Sequence, residues 1–435
     1  MANVTPASTG ASPYDSYQTS LTTRYCSPTM SQLFSQRSRH STWRKLWLSL
    51  AESEKELGVG TITDEALEQM RAHLTVTDED FEIARVEEKR RRHDVMAHVH
   101  AFGAVAPAAA GIIHLGATSC FVTDNTELIL AREAMDLICK KIAKVIANLS
   151  AFALRWKSEP TLAYTHLQAA QLITVGKRAA QWILDLMLDL HAIEQVRQEL
   201  KFRGAQGTTG TQASFLSIFE GDASKCDQLN ELLCQKFGFP SCYDISTQTY
   251  TRKVDLIIAN AVAGLGSTAQ KITGDIRHLM HWKEIEEPFE SSQIGSSAMA
   301  YKRNPFGSRI DEQAVIASRV AAELPFMVTE EIIMRLCAKG VSRQDAHEEI
   351  RVLSHQAGAV VKQEGKPNDL VERIKANEFF KPIWGELDGM LKAELYTGRS
   401  SQIVEKYCGP GGPVSKALAP YADYIRNATT AKLNV

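Results

Sequence analysis

Apolar side chains recur every three to four residues along most of the chain. The strict alternation of a half-buried strand is nearly absent, so the sequence predicts an all-α protein. In residues 42–58, Trp43, Leu46, Trp47, Leu50 and Leu57 follow the helical period, and Gly58 ends it. The same spacing predicts helices over 63–73, 78–104, 124–156, 171–203, 222–236, 312–335 and 343–363. Another long helix opens at 248–253 and runs to about 281, and 369–435 is mostly helical with a Gly-Pro-Gly-Gly turn at 409–412. Residues 1–20 are rich in Ser, Thr, Ala, Pro and Gly. They bury too little apolar surface to offset the entropy of ordering, so they read as a disordered tail.

Length and charge narrow the class. A chain of 435 residues can bury a large core and suggests two or three domains. A formal net charge of −2 gives no general pull on nucleic acid or membrane, so an anionic ligand needs a local cationic pocket. No apolar run approaches the ~20 residues of a membrane span. The N-terminus lacks the charged-then-apolar layout of a signal peptide. The eight cysteines (Cys26, Cys120, Cys139, Cys226, Cys234, Cys242, Cys337 and Cys408) form no C-x-x-C pair. They read as reduced thiols of a cytosolic protein, and no zinc site is expected.

Candidate chemistry concentrates in a few polar stretches. Residues 295–305 read Gly-Ser-Ser-Ala-Met-Ala-Tyr-Lys-Arg-Asn-Pro, a loop punctuated by Gly and Pro. Its hydroxyls can exchange protons, and Lys302, Arg303 and Asn304 can hold a carboxylate. In the expected 78–104 helix, Arg92-His93-Asp94 stands beside an Ala/Val/Met run, with His93 and His100 seven apart on one face. That spacing is not the H-E-x-x-H arrangement, so a metal is not expected. Thr118 and Ser119 precede a long helix, where backbone N–H groups favour anions or simply cap the helix. His166 sits between helices in Thr-His-Leu-Gln-Ala-Ala-Gln. Residues 207–214 form a Gly/Thr loop without the Gly-Lys-Ser/Thr of a P-loop. Glu284, Glu286, Glu287 and Glu290 read as a solvated acidic face.

The 295–305 loop resembles the signature loop of the fumarase/aspartase superfamily. Its Tyr-Lys-Arg-Asn wording is most similar to the adenylosuccinate lyases. The segments around Arg92-His93-Asp94, Thr118-Ser119, His166, 207–214 and Gln248 are similar to that family's active-site segments. Glu323–Met327 and Ser342–Glu348 resemble its eukaryotic-type carboxy-terminal domain. Ala300 and Ala169 stand where the family usually has Pro, which softens both turns. The resemblance implies a three-domain fold around a central bundle of long helices: a 1–20 tail, an N-terminal helical domain 21–119, a shortened bundle domain 120–311 and a C-terminal helical domain 312–435.

It also implies a reaction. Fumarate is eliminated from adenylosuccinate, giving AMP, and from succinylaminoimidazole-carboxamide ribotide, giving AICAR, without a cofactor. Ser296 is the implied general base and His166 the implied general acid. Arg24, Tyr25, Arg92, His93, Asp94, Thr118, Ser119, Gln248, Lys302 and Asn304 are the implied substrate-binding residues. A cytoplasmic homotetramer follows, since family sites combine several subunits. Tyr301-Lys302-Arg303 and Arg92-His93-Asp94 argue against argininosuccinate lyase or fumarase.

The pattern breaks once. After Asn304 the chain passes almost directly into its last domain, about 60 residues short of the family, or roughly two long helices at ~1.5 Å per residue. The missing segment carries family Arg and Ser ligands, and Arg309 falls where the family has the Glu that orients the catalytic His. Asp311 or Glu312 is the nearest substitute. The shortening leaves a second reading open: a catalytically impaired lyase-fold variant that is unstable or modulates the assembly of full-length subunits.

Overall fold

The computed structural model describes residues 17–286, 292–302 and 313–429. The expectations for the tail up to residue 16 and for Asn304, Arg309, Asp311 and Glu312 lie outside the described residues. The α-helices of eight residues or more are α1 (Gln36–Glu56), α2 (Asp64–Ala72), α3 (Asp78–Arg91), α4 (Asp94–Val105), α5 (Ser119–Arg155), α6 (Val175–Glu199), α7 (Ala223–Phe237), α8 (Lys253–His281), α9 (Gln313–Met327), α10 (Thr329–Ala338), α11 (Arg343–Glu364) and α12 (Ser400–Cys408). A two-stranded antiparallel hairpin, β1 (Pro160–Thr165) with β2 (Gln168–Thr174), interrupts them. The all-α expectation holds with that one addition. The chain divides into two compact units, one of residues 1–141, 191–262 and 428–435 and the other of 142–190 and 263–427.

In the first unit the apolar stripe of α1 is buried as its spacing requires, with Trp43, Leu46, Trp47 and Leu50 all inside. Arg44 is buried among them. It pairs with Asp80 at 3.0 Å and donates to the His73 carbonyl at 2.7 Å. Asp80 also accepts from the Thr77 backbone N–H at 2.8 Å, closing the capping box of α3. His40 and His98 stack at 3.8 Å beside Trp43. Burial pushes His98 down to about 3 and His40 down to about 4, so both rings stay neutral.

The single helix expected over 78–104 is two helices. Arg92 adopts left-handed φ 55° and ψ 36°, which ends α3, and His93 then caps α4. Ala84 of α3 packs on Ala97 and Ala101 of α4. The expected shared face of His93 and His100 is therefore absent. His93 precedes its helix, and His100 lies 3.8 Å from Glu87.

In the second unit the helix expected from residue 171 starts at Val175, because 168–174 pair with β1. Gly176 lets the start of α6 approach α5 closely. A Cβ there would lie 2.2 Å from the Ala153 carbonyl oxygen. Trp182 donates to Asp275 at 2.8 Å, tying α6 to α8. The helix expected over 312–335 divides at Val328 into α9 and α10, with Pro325 near the break. The solvated acidic face fails at its first member. Glu284 is 1% exposed, whereas Glu286 is exposed, and Glu287 and Glu290 lie outside the described residues.

Glu54 of α1 is 0% exposed and neither of its carboxyl oxygens has a hydrogen-bond partner. Burial pushes it from an ordinary 4.5 up to about 8, so the folded chain holds this proton at neutral pH. The unfolded chain releases it above about 4.5, so stability falls as pH rises from there to about 8. Glu54→Gln is expected to flatten this fall and to raise the thermal midpoint at pH 8. Melting wild type and variant at pH 6 and pH 8 checks it, and equal slopes would exclude the assignment.

Candidate active site

In the first unit four candidate residues converge where α5 begins. The His93 ring accepts from the Met96 N–H through Nδ1 at 3.4 Å. In the neutral ring the other nitrogen then carries the hydrogen, and Nε2 lies 3.3 Å from Ser119 Oγ. Gln248 donates to Thr118 Oγ1 at 3.1 Å. Ser119 is the first residue of the 37-residue α5, so the two hydroxyls stand at its positive end. Asp94 lies 3.5 Å from His93 Nδ1. Arg92, exposed in its left-handed turn, and His93 are consecutive. Arg24 and Tyr25 end a short π-helix, Leu21–Tyr25. Among the described residues no hydrogen bond joins them to this group.

A scaffold missed by the sequence reasoning holds these parts. Asp124 accepts from the Tyr250 N–H at 3.0 Å and from Arg252 at 3.0 Å, which fixes the chain just after Gln248. The buried Asn125 carboxamide oxygen accepts from the N–H groups of Arg203 at 3.1 Å and Gly204 at 2.9 Å. Arg203 donates to the carbonyls of Gly204 (3.1 Å), Gly207 (2.9 Å) and Thr247 (3.4 Å). It thus joins the Gly/Thr loop to the Gln248 loop. These loops touch so closely that a Cβ at Gly210 would lie 2.0 Å from the Ser246 carbonyl oxygen. One sequence signal was available: Thr123 to Glu127 are five successive polar residues of α5, and Asp124, Asn125 and Thr126 among them are buried.

In the second unit His166 and Leu167 form the two-residue turn of the hairpin, between the pairs Tyr164↔Ala169 and Thr165↔Gln168. Both take positive φ, 52° and 59°. This twist suits a hairpin but usually calls for Asn-Gly. His166 is therefore presented, exposed, at the tip of the hairpin. Ser296 Oγ accepts from the N–H groups of Ala298 at 3.4 Å and Met299 at 3.1 Å. Lys302 is exposed six residues further on. Among the described residues no cluster of His, Cys, Asp and Glu has the geometry of a metal site.

Comparison with known proteins decides the family. The family model "Lyase" matches residues 23–321, and "Adenylosuccinate lyase C-terminus" matches 325–407. The adenylosuccinate lyase of Schizosaccharomyces pombe is 48% identical over 472 aligned positions, covering 95% of this chain and 98% of that protein. The chain belongs to the adenylosuccinate lyase family. The Saccharomyces cerevisiae member is 47% identical, covering 97% of this chain and 99% of that protein. Both alignments, 472 and 482 positions, are longer than the 435-residue chain, so these lyases carry residues with no counterpart here. Among solved structures, the 3-carboxy-cis,cis-muconate lactonizing enzyme of Pseudomonas putida matches with TM-score 0.74 at 19% identity, over 93% of this chain and 99% of that one. A fumarate lyase from Mesorhizobium sp. BNC1 matches with TM-score 0.73 at 19% identity, over 89% of this chain and 99% of that one. These two share the fold.

Within this family member, Asn125 is the test of the scaffold. Asn125→Ala leaves the N–H groups of Arg203 and Gly204 buried without their acceptor, at about 1–3 kcal/mol each. A lower urea midpoint is expected, and an unchanged midpoint would show that the loop is held by other contacts.

Proposed function

We propose that the chain eliminates fumarate from adenylosuccinate, giving AMP, and from succinylaminoimidazole-carboxamide ribotide, giving AICAR. The carrying observation is the end-to-end similarity to adenylosuccinate lyases at 48% identity. In this reading a base removes the proton next to a carboxylate of the succinyl group. The neighbouring C–N bond then breaks, and an acid protonates the departing nitrogen.

Ser296 is the base. Two backbone N–H groups already point at its oxygen, and the same donors would lower the energy of its alkoxide. His166 is the acid, since an imidazole can hold and release a proton near neutral pH. Thr118 and Ser119, at the positive end of α5 with Gln248 beside them, suit a substrate carboxylate. His93 donates toward Ser119 and, with Arg24, Tyr25 and Arg92, supplies polar and cationic groups for the phosphate. Asp94 aligns His93. Lys302 and Asn304 take the charge that develops on the aci-carboxylate. The reaction so written calls for no cofactor. The reading includes a cytoplasmic homotetramer whose copies complete one another's sites.

The purified chain is expected to release fumarate from adenylosuccinate. Ser296→Ala and His166→Ala are each expected to lower kcat by about 10²–10⁴-fold, the range of a lost acid or base. No fumarate from a folded preparation would overturn the activity, and unchanged kcat in either variant would overturn that residue's role.

A further inference from the structure

Glu284, expected in solvent, is the hub of a buried polar cluster within the second unit. Its Oε1 accepts from the Tyr164 hydroxyl at 2.8 Å, and its Oε2 accepts from Arg178 at 3.3 Å and from Thr161 at 3.4 Å. Arg319 Nε lies 3.4 Å from Oε1. The arginines extend the cluster. Arg178 also donates to the Leu162 carbonyl at 2.5 Å, and Arg319 donates to the Tyr164 hydroxyl at 3.1 Å and to the Trp282 carbonyl at 2.9 Å. The Tyr164 ring stacks on Trp282 at 4.2 Å. Burial, and then the bond to Glu284, push the Tyr164 hydroxyl up to about 12, so it stays a donor. One carboxylate thus joins β1, α6, α9 and the segment leaving α8.

The contacts fall where the hairpin most needs them. Pairing between β1 and β2 is irregular between Leu162 and Tyr164, and the cluster grips β1 on both sides of that point, at Thr161, Leu162 and Tyr164. Leu162 and Leu172 seat the hairpin in an apolar core with α9, α10 and α11, and the cluster adds directional contacts against a slip of one residue, which would turn every side chain to the other face. The turn itself, with two non-glycine residues at positive φ, does not favour its own conformation. His166 is two residues beyond Tyr164. A buried ion pair is weak evidence for stability, but its directional contacts can select one register.

We propose that Glu284 is a positioning residue for the elimination: it locks the register of the hairpin that presents His166. This rests on the reading of His166 as the acid. Steady-state fumarate release by the full chain, scaled to folded protein, tests it with Glu284→Gln, Glu284→Asp, Tyr164→Phe and His166→Ala.

Glu284→Gln is expected to lower kcat by up to about 10²-fold, the cost of a misplacement near 1 Å, with KM changed less than about threefold. Glu284→Asp, which restores the charge, is expected to recover part of it. Tyr164→Phe removes only the hydroxyl and leaves both arginines on the carboxylate, so it reports even where Glu284→Gln does not fold. A several-fold loss in kcat alone is expected there. If His166→Ala is inactive while Tyr164→Phe and the folded Glu284 variants turn over as wild type, the positioning role is overturned and the acid role stands. If His166→Ala turns over as wild type, the acid role falls and the positioning role falls with it.

Discussion

A carboxylate taken out of water must be met by donors or give up its charge, and the buried acids of this chain mark where its segments are fastened. Asp80 is met by Arg44 and the Thr77 N–H, which fastens α3 to α1. Asp124 is met by the Tyr250 N–H and Arg252, which fastens the Gln248 loop to α5. Glu284 is met by Tyr164, Thr161 and two arginines, which fastens the hairpin to three other segments. Glu54 has no such donors and keeps its proton. Apolar burial holds the helices together without regard to direction. These polar contacts have direction, and so they fix the loops.

That division explains what the sequence disclosed. The helices α1, α5, α7 and α11 were legible because their apolar period is written in consecutive residues. The candidate segments at 92–94, 118–119, 166 and 295–302 were legible because their composition breaks that period, and because they resemble known motifs. The break at Arg92 was not legible, since arginine carries no local preference for a left-handed turn. The hairpin escaped because β1 spans only six residues and its register is set partly by partners on α6, α9 and beyond α8. Glu284 was misplaced for the same reason. Its partners Thr161 and Tyr164 lie more than a hundred positions away, and no window of sequence joins them.

The long helices carry a second asymmetry. In the second unit, α6 is tied to α8 by Trp182 to Asp275 and Lys271 to Asp185, both specific polar contacts. On the same helix Leu184 and Leu188, one turn apart, are 41% and 62% exposed, and Val145 of α5 is 47% exposed. Leaving such side chains partly in water forfeits part of the about 1.5–3 kcal/mol that full burial gives each. The lyases of the two yeasts carry residues that this chain lacks. The hairpin is not short of apolar cover, since Leu162 and Leu172 are buried in one core with α9, α10 and α11. The Glu284 cluster adds direction to that packing, holding β1 at Thr161, Leu162 and Tyr164. Apolar packing and one carboxylate thus restrain the hairpin together, and in the proposed reading both place the exposed imidazole at its tip.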